Sequence, residues 1–182
     1  MNQHGKTIPG SLEVSDPKIL TMLRPGTSAD TPVLLALAVA TKLFGADEVE
    51  PLQAILDDLH AGRLGANHRL EVWADRPGDP PVGVMYIAPN TMTDRTWDLL
   101  WIAVAPDRQG QGIGSDLLRF AEAQVRADSG RLLLIDTSSL PRFDATHAFY
   151  LKHGYAEVAR IPDFYADGDS KVIFSKRITQ AR

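Results

Sequence analysis

The chain has 182 residues, of which 44% are hydrophobic and 23% are charged, with a formal net charge of −4 and no cysteine. This length suits one domain with a sizeable core. The lack of cysteine excludes disulfides, thiolate metal sites and a cysteine nucleophile, and the acidic balance argues against a broad nucleic-acid-binding surface. The longest apolar run, residues 33–40, is far shorter than a membrane span. We therefore expect a cytoplasmic protein that binds neither nucleic acid nor membranes.

The amino-terminal part of the chain predicts an arm, one strand and two helices. Residues 1–17 are polar and carry glycines and prolines, so we expect a flexible arm ahead of a domain formed by residues 18–182. The next elements, in chain order, are a strand over residues 19–23, a helix from Asp30 or Thr31 to about Phe44, and a helix from about Asp47 to Gly62. Polar caps and apolar residues at helical spacing indicate both helices.

Six extended segments and two more helices follow. Strands are predicted over residues 70–74, 82–88, 97–104, 131–137, 155–161 and 171–178. One helix is expected from Ile113 to about Ser129 and a short one from Asp144 to Gly154, while residues 163–170 read as a loop between the last two strands. Strands that alternate with helices in this order predict a mixed α/β sheet.

The turn between the strand that ends at Val104 and the next helix carries the strongest chemical signal. Gly110, Gly112 and Gly114 stand at alternate positions there. Glycines leave the backbone N–H groups accessible and permit positive φ, and a helix N-terminus favours an anion, so the turn predicts a pyrophosphate site. It is neither a dinucleotide fingerprint, whose third glycine would stand at Ser115, nor a P-loop, because it lacks the Gly-Lys-Ser/Thr ending.

The spacing Gln109-x-x-Gly112-x-Gly114 resembles the coenzyme A signature of the GNAT superfamily of acyl-coenzyme-A-dependent N-acetyltransferases. A second segment, residues 148–155, is similar to the Phe-Tyr-x-x-x-Gly-Phe/Tyr helix-to-strand segment of that family. Both motifs occur in the family's order, and the close resemblance covers about residues 97–161.

The resemblance implies a GNAT-like mixed, splayed β-sheet flanked by helices in a single domain. Its acyl donor, acetyl-CoA, would be a co-substrate bound between the strands over residues 97–104 and 131–137. The resemblance also suggests a homodimer. No metal is expected, because the histidines are not spaced as ligands and no metal-binding motif occurs.

The same resemblance assigns backbone groups to coenzyme A. Those for pantetheine belong to Ile102, Ala103 and Val104, and those for the pyrophosphate to Gln109, Gly110, Gln111, Gly112, Ile113, Gly114 and Ser115. In the family, a bulge in the strand before the loop frees an N–H for the thioester oxygen, and we expect such a bulge here. Arg108 is either a phosphate contact or a solvated surface arginine.

Acyl transfer to an amine requires a base and a proton donor, because a free alkylamine has a pKa of about 10 and must lose a proton before attack. Tyr150 is similar in position to the family's tyrosine that protonates the coenzyme A sulfur; its alternative role is core packing. Asp98 and Asp136, at the ends of the two central strands, are candidates for the base or for ordinary strand-end carboxylates.

Four aromatic residues are candidates for an acceptor pocket, and core packing is the default for the two tryptophans: Trp97, Trp101, Phe164 and Tyr165. Three functions stay open. The leading one is an N-acetyltransferase that acts on a primary amine of a small molecule or peptide by direct attack in a ternary complex. The others are a non-catalytic acyl-CoA-binding or sensing module and an acyltransferase that acts on a macromolecule.

Overall fold

The computed structural model describes residues 21–42, 45, 48–65 and 67–178. Its strands are β1 (Leu23–Pro25), β2 (Arg69–Trp73), β3 (Gly83–Pro89), β4 (Thr96–Val104), β5 (Leu132–Ser138), β6 (Ala156–Ala166) and β7 (Asp169–Arg177). Its α-helices are α1 (Thr31–Ala40), α2 (Val49–His60), α3 (Ile113–Ala127) and α4 (Asp144–Lys152). The predicted arm over residues 1–17 lies outside the described residues.

The seven strands form one sheet in the order β1-β2-β3-β4-β5-β7-β6. Neighbouring strands are antiparallel except β4 and β5, which are parallel and are connected through α3. A parallel pair needs such a crossover, whereas antiparallel neighbours can be joined by short turns. The mixed α/β sheet predicted from the order of elements is therefore confirmed.

Each face of the sheet carries its own hydrophobic core. The first core lies under α3 and α4 and includes Leu117 and Leu118 at the centre of α3. The second lies under α1 and α2 and includes Leu34 and Leu56. Because successive side chains of a strand point to opposite faces, the central strands supply both cores. None of the helices in the described part of the chain is long and apolar enough to cross a bilayer.

Two predicted elements are wrong. Of the strand expected over residues 19–23, residues 19 and 20 lie outside the described residues, Thr21 and Met22 are helical, and β1 begins at Leu23; a short apolar run does not distinguish a strand from a helix. The loop expected over residues 163–170 is a hairpin in which β6 continues to Ala166 and β7 begins at Asp169. The polar residues of this segment are typical of a loop, but the backbone of Ala166 still pairs with Asp169 of β7.

The polar residue before α1 has a different role from the predicted cap. Asp30 stands at the N-cap position, but its carboxylate accepts hydrogen bonds from the Arg24 guanidinium and from the Thr27 N–H group instead of from the helix. The Arg24 guanidinium lowers the pKa of Asp30 to about 2. This carboxylate therefore ties β1 to the start of α1.

Candidate active site

A cleft opens in the middle of the sheet where β4 and β5 diverge. The two strands pair only from Thr96 to Asp98 and from Leu132 to Leu134, so their carboxyl-terminal halves share no ladder. Beyond that point, β5 pairs only with β7. We call the gap between the carboxyl-terminal halves of β4 and β5 the cleft. The edge of β4 that faces it has backbone groups that no neighbouring strand occupies.

A β-bulge lies in β4 at the mouth of the cleft. Leu99 pairs with Ile87 and Trp101 pairs with Tyr86, so the intervening Leu100 has no partner residue in β3. The extra residue bends the strand and increases its twist. The expected bulge in this strand is therefore present, at the position where β4 leaves β5.

The glycine loop joins the end of β4 to α3. A short 3₁₀ turn over Pro106–Arg108 is followed by Gly112, which precedes α3 with a φ of 90° that other residues rarely adopt. The first backbone N–H groups of a helix have no partner within it. The Gln109 side chain donates to the Val104 carbonyl at 3.1 Å and fixes the loop to the strand.

Arg108 is not free to contact a phosphate. Its guanidinium forms a two-pronged ion pair with Asp75 in the β2–β3 connection and also donates to the Gln111 side chain. The positive charge is therefore matched within the protein. An anion at this loop would depend on backbone N–H groups and on the helix dipole.

Ser115, in the first turn of α3, has a partner that the sequence did not indicate. The Nε2 atom of His153 lies 2.9 Å from the Ser115 hydroxyl oxygen, and Nδ1 lies 2.8 Å from the Phe149 carbonyl oxygen. Since a carbonyl only accepts, Nδ1 must carry a proton, and in a neutral imidazole Nε2 then accepts from the Ser115 hydroxyl. His153 thus connects the end of α4 to the glycine loop.

Tyr150 lies inside the first core at the end of α4. Its ring packs against Phe149, Tyr155 and Phe174, with centroid distances of 5.5, 5.9 and 5.6 Å. No described residue forms a hydrogen bond with its hydroxyl. Burial raises the pKa of this phenol, so it stays protonated throughout the physiological range. The side chain packs as a core aromatic, and its hydroxyl remains protonated.

The structure brings Asp98 and Asp136 together on the other face of the sheet. Burial raises the pKa of Asp98 above its ordinary value, a hydrogen bond from Asn90 lowers it, and the charges of Asp136 and Lys171 act in opposite directions. Asp136 forms a 2.5 Å ion pair with Lys171. Within the described residues, no cation is ion-paired with Asp98. The two candidate bases therefore differ: Asp136 is ion-paired with Lys171, whereas Asp98 is half-buried and has no ion-paired cation among the described residues.

The four aromatic candidates separate into two groups. Trp97 belongs to the first core and Trp101 to the second, so the tryptophans pack as core residues. Phe164 and Tyr165 are about half exposed, at 51% and 47%. The Lys171 ammonium lies 4.3 Å from the Phe164 ring centroid, which places this ring beside the two carboxylates.

Tyr150 and the two carboxylates lie on opposite faces of the sheet. Tyr150 shares the first core with Leu99 and Ile135, and the alternation of side chains along β4 and β5 directs Asp98 and Asp136 to the opposite face. The phenol and the two candidate carboxylates are therefore separated by the sheet.

Both the sequence and the fold of this chain are similar to those of known proteins. The sequence matches the family described as "Acetyltransferase (GNAT) domain" over residues 68–157. This range includes most of the sheet, the glycine loop and Tyr150. A comparison with curated protein sequences finds no match.

Solved structures agree in fold. The chain is 28% identical to a protein assigned to the GNAT acetyltransferases from Desulfovibrio desulfuricans, with a TM-score of 0.79 and coverage of 86% of this chain and 98% of that chain. The ribosomal-protein-S18-alanine N-acetyltransferase of Escherichia coli is 18% identical, with a TM-score of 0.67 and coverage of 88% and 95%. The protein yncA of Salmonella typhimurium, solved with its cofactor acetyl-CoA, is 16% identical, with a TM-score of 0.67 and coverage of 88% and 95%. At 18% and 16% identity, the likeness shows the fold alone.

Proposed function

Because the chain belongs to the GNAT family of acetyltransferases, we propose that it transfers the acetyl group of acetyl-CoA to a primary amine of a small molecule or peptide. The observation that carries this proposal is the cleft, which has the glycine loop at one end and a carboxylate pair beside a bulge at the other. An acyl-CoA has a pyrophosphate, which needs an anion-binding site, and a thioester at the other end of its pantetheine arm, which needs the groups that carry out acyl transfer.

The residues of the cleft fit coenzyme A in two ways. The exposed N–H groups around Gly112 and at the start of α3 suit the pyrophosphate, since anions bind well at helix N-termini. The open edge of β4 at Ile102 and Val104 suits the amides of pantetheine, which can pair with a strand as another strand would, whereas Ala103 between them directs its backbone groups to Val84 of β3. The Val104 carbonyl already accepts from Gln109, so its N–H is the group left for pantetheine.

The proposed reaction is direct attack of a neutral amine nitrogen on the thioester carbonyl carbon in a ternary complex. The C–N bond forms, the C–S bond breaks, and the proton of the amine passes to a carboxylate. A backbone N–H at the Leu100 bulge would donate to the oxyanion that develops in between. The Tyr150 hydroxyl would give its proton to the departing sulfur. The raised pKa of this phenol means that the hydroxyl still carries its proton when the sulfur departs.

Asp98 is the better candidate for the base. A general base must be free to accept a proton, and the Asp136 carboxylate is already engaged in an ion pair with Lys171. Burial raises the pKa of Asp98, which makes this carboxylate more basic than an exposed aspartate. Asp136 and Lys171 would then tune Asp98 through their charges.

The pH dependence of kcat tests this assignment. The base works when deprotonated, so kcat at saturating amine should fall as the pH drops through the raised pKa of Asp98. Lys171 lowers that pKa and Asp136 raises it. We therefore expect Lys171→Met to move the acidic limb of the profile to higher pH and Asp136→Asn to move it to lower pH. Shifts in the same direction, or none, would assign the limb to another group.

The proposed activity is tested by release of the coenzyme A thiol from acetyl-CoA in the presence and absence of a panel of primary amines. Release that depends on the amine, together with an acetylated amine identified by mass spectrometry, is the expected result. Calorimetric binding of acetyl-CoA without turnover on any amine would instead indicate the alternative, an acyl-CoA-binding module.

A further inference from the structure

Acidic side chains lie beside the point where β4 and β5 diverge. Asp98 and Asp136 lie there, and Asp136 is ion-paired with Lys171. Burial raises the pKa of the Tyr165 hydroxyl, and the charges of Asp136, Asp169 and Glu48 also raise it. Such a surface attracts a cation and repels a carboxylate.

The hairpin of β6 and β7 places two aromatic rings beside these charges, Phe164 and Tyr165, which we call the aromatic wall. Ile161 pairs with Lys171 and Ala166 with Asp169, so the four residues 162–165 stand opposite a single residue of β7. This wide bulge is held in shape by Asp163, whose φ is 51° and whose carboxylate accepts the Gly168 N–H at 2.8 Å.

The bulge presents two rings as a unit. Phe164 and Tyr165 meet edge to face, with their centroids 4.9 Å apart. Each is about half exposed, so apolar ring surface stays in contact with water beside the cleft. Covering such surface with an apolar group is favourable, and the hydrophobic contact adds to any charge attraction.

An ammonium group of the protein, that of Lys171, already lies between the Asp136 carboxylate and the Phe164 ring. Lys171 places its ammonium 2.5 Å from the Asp136 carboxylate and 4.3 Å from the centre of the Phe164 ring. This combination of an anion and an aromatic face is a typical environment for a cation. Asp98 offers a second carboxylate beside it, without an ion-paired partner in the described part of the chain.

From this arrangement we propose that the acceptor is a small primary amine with an apolar or aromatic tail and no carboxylate. Its ammonium group would approach Asp98, and its tail would cover the rings of Phe164 and Tyr165. This inference rests on the proposed function and narrows it: amines that are free amino acids would be disfavoured by the surrounding carboxylates, and short amines would leave the rings uncovered.

Three probe acceptors test the proposal: 2-phenylethylamine, ethylamine and phenylalanine. With acetyl-CoA at saturation, thiol release should give kcat/KM for 2-phenylethylamine at least about tenfold above the value for either of the others. Ethylamine lacks only the ring, and phenylalanine adds only the carboxylate. Each comparison therefore isolates one part of the proposal.

The matched variants are Phe164→Ala and Val158→Ala. Val158 is exposed on the same strand but outside the bulge, so its removal should change nothing. Phe164→Ala should lower the preference for 2-phenylethylamine over ethylamine by about tenfold, mainly through KM of the amine, while KM for acetyl-CoA stays the same. Thermal unfolding of both variants checks that they fold.

The outcomes separate the two proposals. Equal use of 2-phenylethylamine and ethylamine, or an unchanged preference in Phe164→Ala, would overturn the proposed binding of the amine's tail by the aromatic wall, while the acetyltransferase function would stand. Efficient use of phenylalanine would overturn the exclusion of carboxylates. Absence of thiol release with every primary amine, despite binding of acetyl-CoA, would overturn the proposed function and this inference with it.

Discussion

Replacing Tyr150 by phenylalanine is expected to lower kcat by about a hundredfold and to leave the affinity for acetyl-CoA and the fold intact. The phenylalanine ring keeps the contacts with Phe149, Tyr155 and Phe174. The missing hydroxyl has no hydrogen-bond partner in the described part of the chain, so its loss leaves no buried group unpaired. Only the proton donor for the sulfur is removed.

The neighbouring Tyr155 provides a matched control for this prediction. Tyr155 is equally buried, but its hydroxyl donates to the Glu122 carboxylate at 3.2 Å. Tyr155→Phe should therefore lower the free energy of unfolding by about 1 kcal/mol and leave kcat unchanged, the reverse of the expected result for Tyr150→Phe. Steady-state kinetics and thermal unfolding of both variants measure the difference. Full turnover by Tyr150→Phe would mean that another group protonates the sulfur.

Replacing Gly112 by tryptophan is expected to weaken acetyl-CoA binding by more than about a hundredfold, because several charge-assisted hydrogen bonds to the pyrophosphate would be lost together. Gly112 adopts a φ of 90° at the start of α3, and a Cβ atom there would meet no other atom within 4 Å. The indole would therefore extend over the N–H groups of the loop without a clash in the core. Isothermal calorimetry with acetyl-CoA measures the effect.

Gly62 is the control for backbone strain. It also has a positive φ, 70°, and open space around its Cα atom, but it follows α2 and lies outside the glycine loop. Gly62→Trp should show a comparable small loss of stability, since a side chain at such a φ costs about 1–2 kcal/mol, and normal binding of acetyl-CoA. Equal loss of binding in both variants would attribute the effect to folding, and normal binding in Gly112→Trp would move the pyrophosphate elsewhere.

The glycine loop and α3 could be predicted because their structure depends on neighbouring residues. The φ of Gly112 and the start of α3 are decided within one turn of chain. The apolar face of α3 was also predicted, since helical spacing by itself selects Leu117, Leu118 and Val125 for burial. The pyrophosphate site assigned to this loop stays a prediction.

The acceptor side of the cleft could not be predicted in the same way. Lys171 comes 35 positions after Asp136 in the sequence, and only the register of β5 against β7 makes them a pair. The sequence therefore left two equivalent candidate carboxylates, and it indicated neither Lys171 nor Asn90. The hairpin bulge that holds Phe164 and Tyr165 was likewise missed, because the polar residues around it are typical of a loop.

The sequence by itself determined most of the order of the elements, the position of the glycine loop between β4 and α3, and the resemblance to the acetyltransferase family, since each depends on spacing along the chain. The tertiary structure alone decided where β4 separates from β5, which of two aspartates is ion-paired with Lys171, and which faces of the sheet Tyr150 and Asp98 occupy. These features depend on strand register and on the sheet's two faces, and a shift of one residue in register exchanges those faces.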